Sequence, residues 1–114
     1  MKHGNGDVVT LFITVTIKPE LEETYLQFMR DYAKTMEANE PEGSVLYCLL
    51  RELGEGKPPH TFVMLQRYAS RAAYDQHFVK PYRHEALAKL QTMVSQPPDF
   101  RVFEQMVPGE KAAT

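Results

Sequence analysis

The chain has 114 residues and a formal net charge of −2 at neutral pH, so it is long enough for one domain with one hydrophobic core. The absence of a basic surplus argues against nucleic-acid binding, and no stretch approaches the roughly 18 apolar residues of a membrane span. The polar residues at the start lack the apolar core of a signal peptide. The composition therefore predicts a soluble, cytoplasmic protein without a membrane or nucleic-acid partner.

The first predicted strand covers residues 8–18 and follows a polar tail, residues 1–7. Apolar residues alternate along it with threonines, so one face of the strand is apolar and the other carries threonines and Phe12. A threonine face without charges favours burial against a second sheet or a pocket, with a solvated face as the alternative. This pattern is the first indication of a homodimer.

Pro19 begins the first predicted helix, which runs to about Ala38 and has glutamates at the positive end of its dipole. A stripe at helical spacing faces the sheet and consists of Leu21, Tyr25, Phe28, Tyr32 and Met36. Core packing accounts for the leucine and the phenylalanine. The two phenols and the thioether suit either the core or the wall of a pocket for a flat ligand, and both interpretations stay open.

A turn at Pro41 leads to the second predicted strand, residues 44–51. Residues 54–59 connect this strand to the third, residues 61–68, as a hairpin. Cys48 lies within an apolar run and cannot form an internal disulfide, because it is the only cysteine. A buried, inert thiol is the expectation there.

Ser70 is predicted to cap a short second helix. The sheet-facing side of this helix carries Tyr74, His77 and Phe78. Pro81 begins a further helix, which the proline pair after Gln96 ends. Its apolar stripe consists of Ala86, Leu87, Leu90 and Val94. A fourth strand over residues 100–107 and a polar tail, residues 108–114, complete the chain.

The element order is strand, helix, strand, strand, helix, strand, with the second helical region split by a proline. This order predicts a ferredoxin-like α+β fold, a split βαββαβ arrangement with one antiparallel sheet. The helices cover one face of such a sheet and leave the other face free for a partner.

The sequence Thr61-Phe-Val-Met-Leu-Gln-Arg-Tyr68, followed by Tyr74, His77 and Pro81, resembles the antibiotic biosynthesis monooxygenase family. The segments Ile17-Lys-Pro-Glu20, Glu42-Gly-Ser44 and Pro98-Asp-Phe-Arg-Val-Phe-Glu104 add to this resemblance. Together these segments extend the resemblance over residues 8–107.

The resemblance implies a dimeric α+β barrel, in which two sheets pack face to face and each subunit has a pocket between its sheet and helices. It also implies oxygenation of a phenolic polycyclic compound or quinol by O₂ without a metal, flavin or haem. In position, Tyr74 and His77 match a pocket tyrosine and a common histidine of the family. Tyr68 stands where the family usually has tryptophan, and Gln66 where it usually has glutamate.

The predicted catalytic residues are His77, Tyr74 and Tyr68. His77 is either a general base or anchor for a phenolic oxygen, or a structural histidine bonded to a neighbouring carbonyl. The predicted substrate-binding residues are Tyr25, Phe28, Tyr32, Met36, Met64, Phe78, Arg83 and His84, of which the last two lie at a pocket mouth or in solvent. The four histidines lack the spacing of a compact metal site, so no metal is expected. The resemblance implies that no other cofactor is needed.

Three functions agree with these features. The first is a cofactor-independent monooxygenase acting on a small aromatic, polyketide-like substrate with O₂. The second is a non-oxidative isomerase, cyclase or decarboxylase that uses the same pocket. Gln66 and Tyr68 favour it, because they replace the glutamate and tryptophan that are usual in the family. The third is a non-catalytic ligand-binding barrel dimer, because a fold does not fix a function.

Overall fold

A computed structural model describes residues 8–41 and 44–107. The predicted tails, residues 1–7 and 108–114, and the turn at Glu42 and Gly43 lie outside the described residues. In chain order the elements are β1 (Val9–Thr16), a 3₁₀ turn (Pro19–Leu21), α1 (Glu22–Asn39), β2 (Ser44–Leu50), β3 (Thr61–Tyr68), α2 (Arg71–Phe78), α3 (Pro81–Gln91) and β4 (Asp99–Glu104).

The four strands form one antiparallel sheet in the order β2-β3-β1-β4. The N-terminal strand β1 therefore lies inside the sheet, where Val9 pairs with Tyr68 of β3 and with Glu104 of β4. This order and the positions of the helices confirm the predicted ferredoxin-like α+β fold.

The hydrophobic core lies between one face of the sheet and the helices. Alternate residues of β1 and β3 are buried, as the period-two pattern predicts. On the sheet side the core contains Val9, Leu11, Ile13, Val15, Ile17, Phe62, Met64 and Tyr68. From α1 it contains Tyr25, Met29 and Met36. This face accounts for most of the apolar burial that stabilises the domain.

The end of the last helix differs from the prediction. α3 ends at Gln91, and Val94 forms a β-bridge with Ile17 instead of extending the helical stripe. The main-chain N–H of Lys18 donates to the carbonyl of Met93 at 2.8 Å, and that of Ser95 donates to Thr16 at 2.8 Å. These bonds to the end of β1 replace the helical bonds that the chain would otherwise make.

The sheet face opposite the helices is not covered by any element of residues 8–41 and 44–107. Strand alternation places Phe12, Cys48 and Phe103 on this face, with the rings of Phe12 and Phe103 edge to face at 5.4 Å between centroids. Leu50 of the edge strand β2 is 43% exposed. Cys48 is half-buried, not fully buried as predicted, because none of the described residues covers its side of the sheet.

A charged cluster ties the start of α1 to the sheet. The carboxylate of Glu22 lies 2.8 Å from Nη2 of Arg51 and 2.6 Å from Nδ1 of His60. The Arg51 hydrogen bond, followed by that of His60, lowers the pKa of the Glu22 carboxyl. His60 has a φ of 61°, an uncommon value for a residue with a side chain, and its carbonyl accepts from Ile17 N–H at 2.8 Å. The cluster therefore fixes the helix start and the hairpin end together.

No helix in residues 8–41 and 44–107 is long and apolar enough to cross a membrane.

Candidate functional site

A cavity of about 50 Å³, measured as the space open to the centre of a water molecule, lies between the sheet and the three helices, within a wider cleft of about 430 Å³ that includes open solvent. Its polar lining residues are Tyr32, Gln66, His77 and Arg83. The other lining residues are apolar: Leu11, Ile13, Phe28, Met29, Met64, Phe78, Ala86, Leu87, Leu90 and Phe100. Apolar and aromatic walls with a few polar groups are typical of small-molecule sites.

Three side chains form a continuous hydrogen-bonded chain at the cavity. Oη of Tyr32 lies 3.2 Å from Nε2 of His77, and Nδ1 of His77 lies 2.8 Å from Oε2 of Glu40. The side chains of His77 and Glu40 are 2% and 6% exposed, so water competes little for these bonds. Tyr32 and His77 line the cavity, whereas Glu40 lies behind the histidine.

Local structure explains why these three residues meet. Ser70 caps α2 by accepting from Ala73 N–H at 3.0 Å, and His77 then lies almost two turns along, on the buried side of the helix. Glu40 is the first residue after α1, and its main-chain N–H donates to the carbonyl of Met36 at 2.7 Å. Tyr32 lies two turns before the end of the same helix. The ends of α1 and α2 thus place an acid and a phenol on either side of one imidazole.

Burial lowers the pKa of His77, and the nearby cations Arg83 and Lys80 act in the same direction, although Glu40 opposes this by its hydrogen bond and its charge. The imidazole is therefore neutral at pH 7. A carboxylate only accepts hydrogen bonds, so Nδ1 carries the proton that Glu40 receives, and Nε2 accepts from the Tyr32 hydroxyl. Burial raises the pKa of Tyr32, which keeps its hydroxyl protonated. The arrangement presents a neutral base at the cavity, with a carboxylate behind it.

Tyr68 and Gln66 form a second buried pair. The Tyr68 hydroxyl donates a short hydrogen bond to Oε1 of Gln66, and the side chains are 0% and 3% exposed, respectively. Gln66 lines the cavity, and because its Oε1 accepts from Tyr68, its amide nitrogen is the group left to donate a hydrogen bond. Tyr68 does not line the cavity itself, and it positions a residue that does.

Arg83 is the cation of the cavity lining. Its guanidinium carbon lies 4.4 Å from the centroid of the Phe78 ring, a distance typical of a cation–π contact. It is half-buried in the first turn of α3, and that turn contains no acidic residue. In the described part of the chain, no carboxylate lies within ion-pair distance of this guanidinium.

The cavity brings together six of the eleven predicted site residues. They are Phe28, Tyr32, Met64, His77, Phe78 and Arg83. The other five do not line it: Tyr25 and Met36 lie in the core, His84 is exposed, and Tyr68 and Tyr74 pack edge to face at 5.8 Å behind it. Tyr74 also packs on Phe78 at 4.5 Å. Catalytic or binding roles for these five residues stay predictions.

Sequence reasoning did not identify Glu40 as part of the site. A glutamate directly after a helix is usually solvated, and its partner His77 follows 37 residues later. Its position beside Met36, in register with the apolar stripe of α1, is a weak signal that it points inward. Leu87 and Leu90 were predicted only as stripe residues of the last helix and Phe100 only as a strand residue, and the sequence analysis did not single out Met29.

In the described ranges, no three histidine, cysteine, aspartate or glutamate side chains lie close enough together to hold a metal ion.

The fold and the cavity define a ferredoxin-like α+β domain with an aromatic-walled cavity between its sheet and its helices. The family model for antibiotic biosynthesis monooxygenases matches residues 8–89, and the chain belongs to this family. This confirms the family resemblance found in the sequence.

Known proteins similar to the chain share its fold at low identity. A candidate antibiotic biosynthesis monooxygenase of Caulobacter crescentus has a TM-score of 0.77 at 22% identity, with 88% of this chain and 91% of that chain covered. A protein of unknown function from Nitrosomonas europaea has a TM-score of 0.71 at 22% identity, with 96% and 100% covered. An uncharacterized protein of Synechocystis is 23% identical over 101 residues, 89% of this chain. The chain spans only 65% of the length of that curated relative.

Proposed function

We propose that the protein is a cofactor-independent monooxygenase that oxidises a phenolic, polycyclic aromatic or quinol-type small molecule with O₂. The observation that carries this proposal is the buried chain from Tyr32 through His77 to Glu40, which opens on an apolar, ring-lined cavity. An electron-rich carbanion or phenolate reacts with O₂ by itself. The protein then has to bind the substrate, remove one proton and exclude water.

His77 is the proposed general base. A substrate hydroxyl or activated C–H group in the cavity transfers its proton to Nε2, either directly or through the Tyr32 hydroxyl, which passes on its own proton. The imidazolium that forms is stabilised by the Glu40 carboxylate at 2.8 Å. In this scheme Glu40 is a positioning residue that fixes the tautomer of His77 and favours its protonated form.

The oxygen step balances without another reductant. For an anthrone-type substrate, the carbanion left by proton removal adds O₂ to give a peroxide anion. Protonation by the His77 imidazolium gives a hydroperoxide, and loss of water from this compound gives a ketone. Overall, one CH₂ group and one O₂ become one C=O group and one H₂O. The apolar lining of the cavity suits both the flat ring system and O₂.

The test is turnover of anthrones, quinols and phenolic polyketides by metal-stripped protein, with oxygen uptake followed beside product mass. We expect oxygen consumption equal to product formation, with a product that gains oxygen. His77→Gln is expected to lower turnover about 10²-fold or more, as is usual for loss of a general base. Gln76→Ala, an exposed position next to it on the same helix, is the matched control and keeps the wild-type rate.

Tyr74→Phe tests the predicted catalytic role of the residue that packs behind the cavity. Unchanged oxygen uptake in this variant removes Tyr74 from the mechanism but leaves His77 in place. Unchanged rates in both variants, with folding intact, contradict the proposed site.

A second candidate function uses the same base without oxygen, as an isomerase, cyclase or decarboxylase of a polyketide-like compound. The Tyr68–Gln66 pair favours it, because the wall carries an amide donor where the family usually has a carboxylate. Product formation that persists under anaerobic conditions selects this candidate. Tight ligand binding without turnover selects the third, a non-catalytic barrel dimer.

The proposed active form is a homodimer in which the uncovered sheet faces of two copies pack together. Phe12, Leu50 and Phe103 on this face or its edges support the proposal, since a monomer gains nothing from exposing them. Sedimentation at micromolar concentration is expected to give twice the chain mass, and Phe103→Glu to give monomers. Leu53→Glu, in a loop position that is 86% exposed, is the control and leaves the dimer intact. A monomeric wild-type protein overturns this part of the proposal.

A further inference from the structure

Arg83 is a cation of the cavity wall that has no counter-ion among the described residues. Its guanidinium group is half-buried and is held over the Phe78 ring at 4.4 Å. The described residues place no carboxylate within ion-pair distance of it, whereas Arg51 and Arg71 each have an acidic partner. The partial positive charge at the N-terminal end of α3 also disfavours a cation in this turn. A half-buried arginine in such a position is best satisfied by an anion from outside the chain.

The other polar group of the wall that is free to bind a ligand is also a donor. Gln66 lines the cavity, and because its Oε1 accepts from the Tyr68 hydroxyl, its amide nitrogen is the group left to bind a ligand. Arg83 and Gln66 therefore both have N–H groups to offer, and the guanidinium of Arg83 has no acceptor. Such a donor set matches a ligand group that only accepts hydrogen bonds.

The remaining wall restricts what can carry this group. Phe28, Met64 and Phe78, together with leucines of α3, form an apolar cavity, and the two methionines that line it can adapt to a flat ring system. A free inorganic anion would leave this apolar surface unpaired. An apolar ring system with one acidic substituent would satisfy both the surface and the arginine.

We propose that the cavity recognises an aromatic carboxylic acid, with the carboxylate bound by Arg83 and the rings held by the apolar wall, while the reacting position lies near His77. This inference rests on the proposed function only in taking the cavity as the substrate site. It adds that the substrate is an acid and that Arg83 determines this specificity. An arginine suits the position better than a lysine because its guanidinium can form a bidentate pair of hydrogen bonds with a carboxylate.

The test is equilibrium binding of two matched ligands, 2-naphthoic acid and 2-naphthamide, by titration calorimetry at pH 7.5. The two have the same rings, and only the acid is charged. We expect the wild-type protein to bind the acid about tenfold or more tightly than the amide, the usual range for a hydrogen-bonded charge. Added salt is expected to weaken binding of the acid and not of the amide.

Arg83→Gln is expected to remove the preference for the acid and to leave amide binding within about twofold of wild type. Arg71→Gln is the matched control, because Arg71 also lies over an aromatic ring, that of Tyr74 at 5.9 Å, but outside the cavity. It keeps the preference. Thermal denaturation of both variants verifies folding, and Arg83→Lys, which keeps the charge without the planar fork, is expected to recover part of the preference.

Equal binding of acid and amide by the wild-type protein, absence of binding by both, or a preference that survives Arg83→Gln overturns the inference. Failure of this inference can be distinguished from failure of the proposed monooxygenase function. An acid preference without any oxygen uptake retains the Arg83 subsite and removes the monooxygenase. Turnover of neutral phenols without an acid preference does the reverse.

Discussion

Deletion of one hydroxyl group at two tyrosines of the same core is expected to change stability in opposite directions. Tyr25 is 0% exposed, and its hydroxyl has no hydrogen-bond partner among the described residues. Tyr68 is also 0% exposed, but its hydroxyl donates to Gln66. Tyr25→Phe and Tyr68→Phe remove the same atom from equally buried side chains. The difference between the two variants in free energy of unfolding therefore reports the contribution of the hydrogen bond.

The magnitudes follow from the two environments. An unsatisfied buried hydroxyl destabilises a fold by about 1–3 kcal/mol, and removing it removes this cost. The small cavity left by one oxygen atom destabilises the variant by only about 0.3 kcal/mol. Tyr25→Phe is thus expected to stabilise the fold by about 1 kcal/mol, or about 4 °C in Tm for a domain of this size. Tyr68→Phe loses a buried bond and leaves Oε1 of Gln66 unpaired, which costs about 1–3 kcal/mol.

Urea denaturation followed by circular dichroism measures both changes. All proteins are compared at one chain concentration, because association would shift the midpoints. A Tyr25→Phe variant that is destabilised by about 1 kcal/mol or more would refute the reasoning. Its hydroxyl would then have a partner, such as an ordered water molecule.

Four further results are expected. Glu40→Gln keeps a hydrogen-bond acceptor for His77 but removes the charge that favours its protonated form. Turnover is expected to fall, and the acid limb of the pH–rate profile to move to lower pH. A loss of rate without this movement would contradict the role given to Glu40. Burial lowers the pKa of His77, so the unfolded chain binds that proton more readily, and the stability of the wild-type protein should fall as the pH drops below 6.5. Urea midpoints between pH 5 and 8 measure this loss, which His77→Gln should abolish. The lowered pKa of Glu22 gives a separate loss of stability below pH 4.5. Ser70→Ala removes the cap on Ala73 N–H and should cost about 1 kcal/mol, measured by urea denaturation, with an unchanged midpoint as the contrary result.

The fold could be predicted from local patterns because these patterns agree with the tertiary structure. The alternation in β1 and β3, the Ser70 cap and the proline at the start of α3 each specify a local conformation that the sheet and core retain. The bounds of β4 and the end of α3 were less accurate. There the chain is held by hydrogen bonds to β1, some 80 residues earlier in sequence.

The site was harder to predict because it depends on which side of a buried face a residue lies. Tyr74 and His77 share one side of α2, yet only the histidine reaches the cavity, whereas the tyrosine packs on Tyr68. Helical spacing places residues on a face to within about one residue and does not resolve such a difference. The Glu40–His77 contact joins the ends of two separate helices, and no local pattern reports it.

The central place of β1 in the sheet has a consequence for how the domain forms during synthesis. β1 is the first strand to be made, but both of its neighbours, β3 and β4, follow much later, and β4 ends at Glu104. Contacts between residues far apart in sequence slow folding, because the entropy of closing the loop is lost before the stabilising contacts form. β1 therefore stays unpaired until β3 has been made, and its other edge stays open until β4 follows. In this interval it is open to aggregation or to capture by a chaperone.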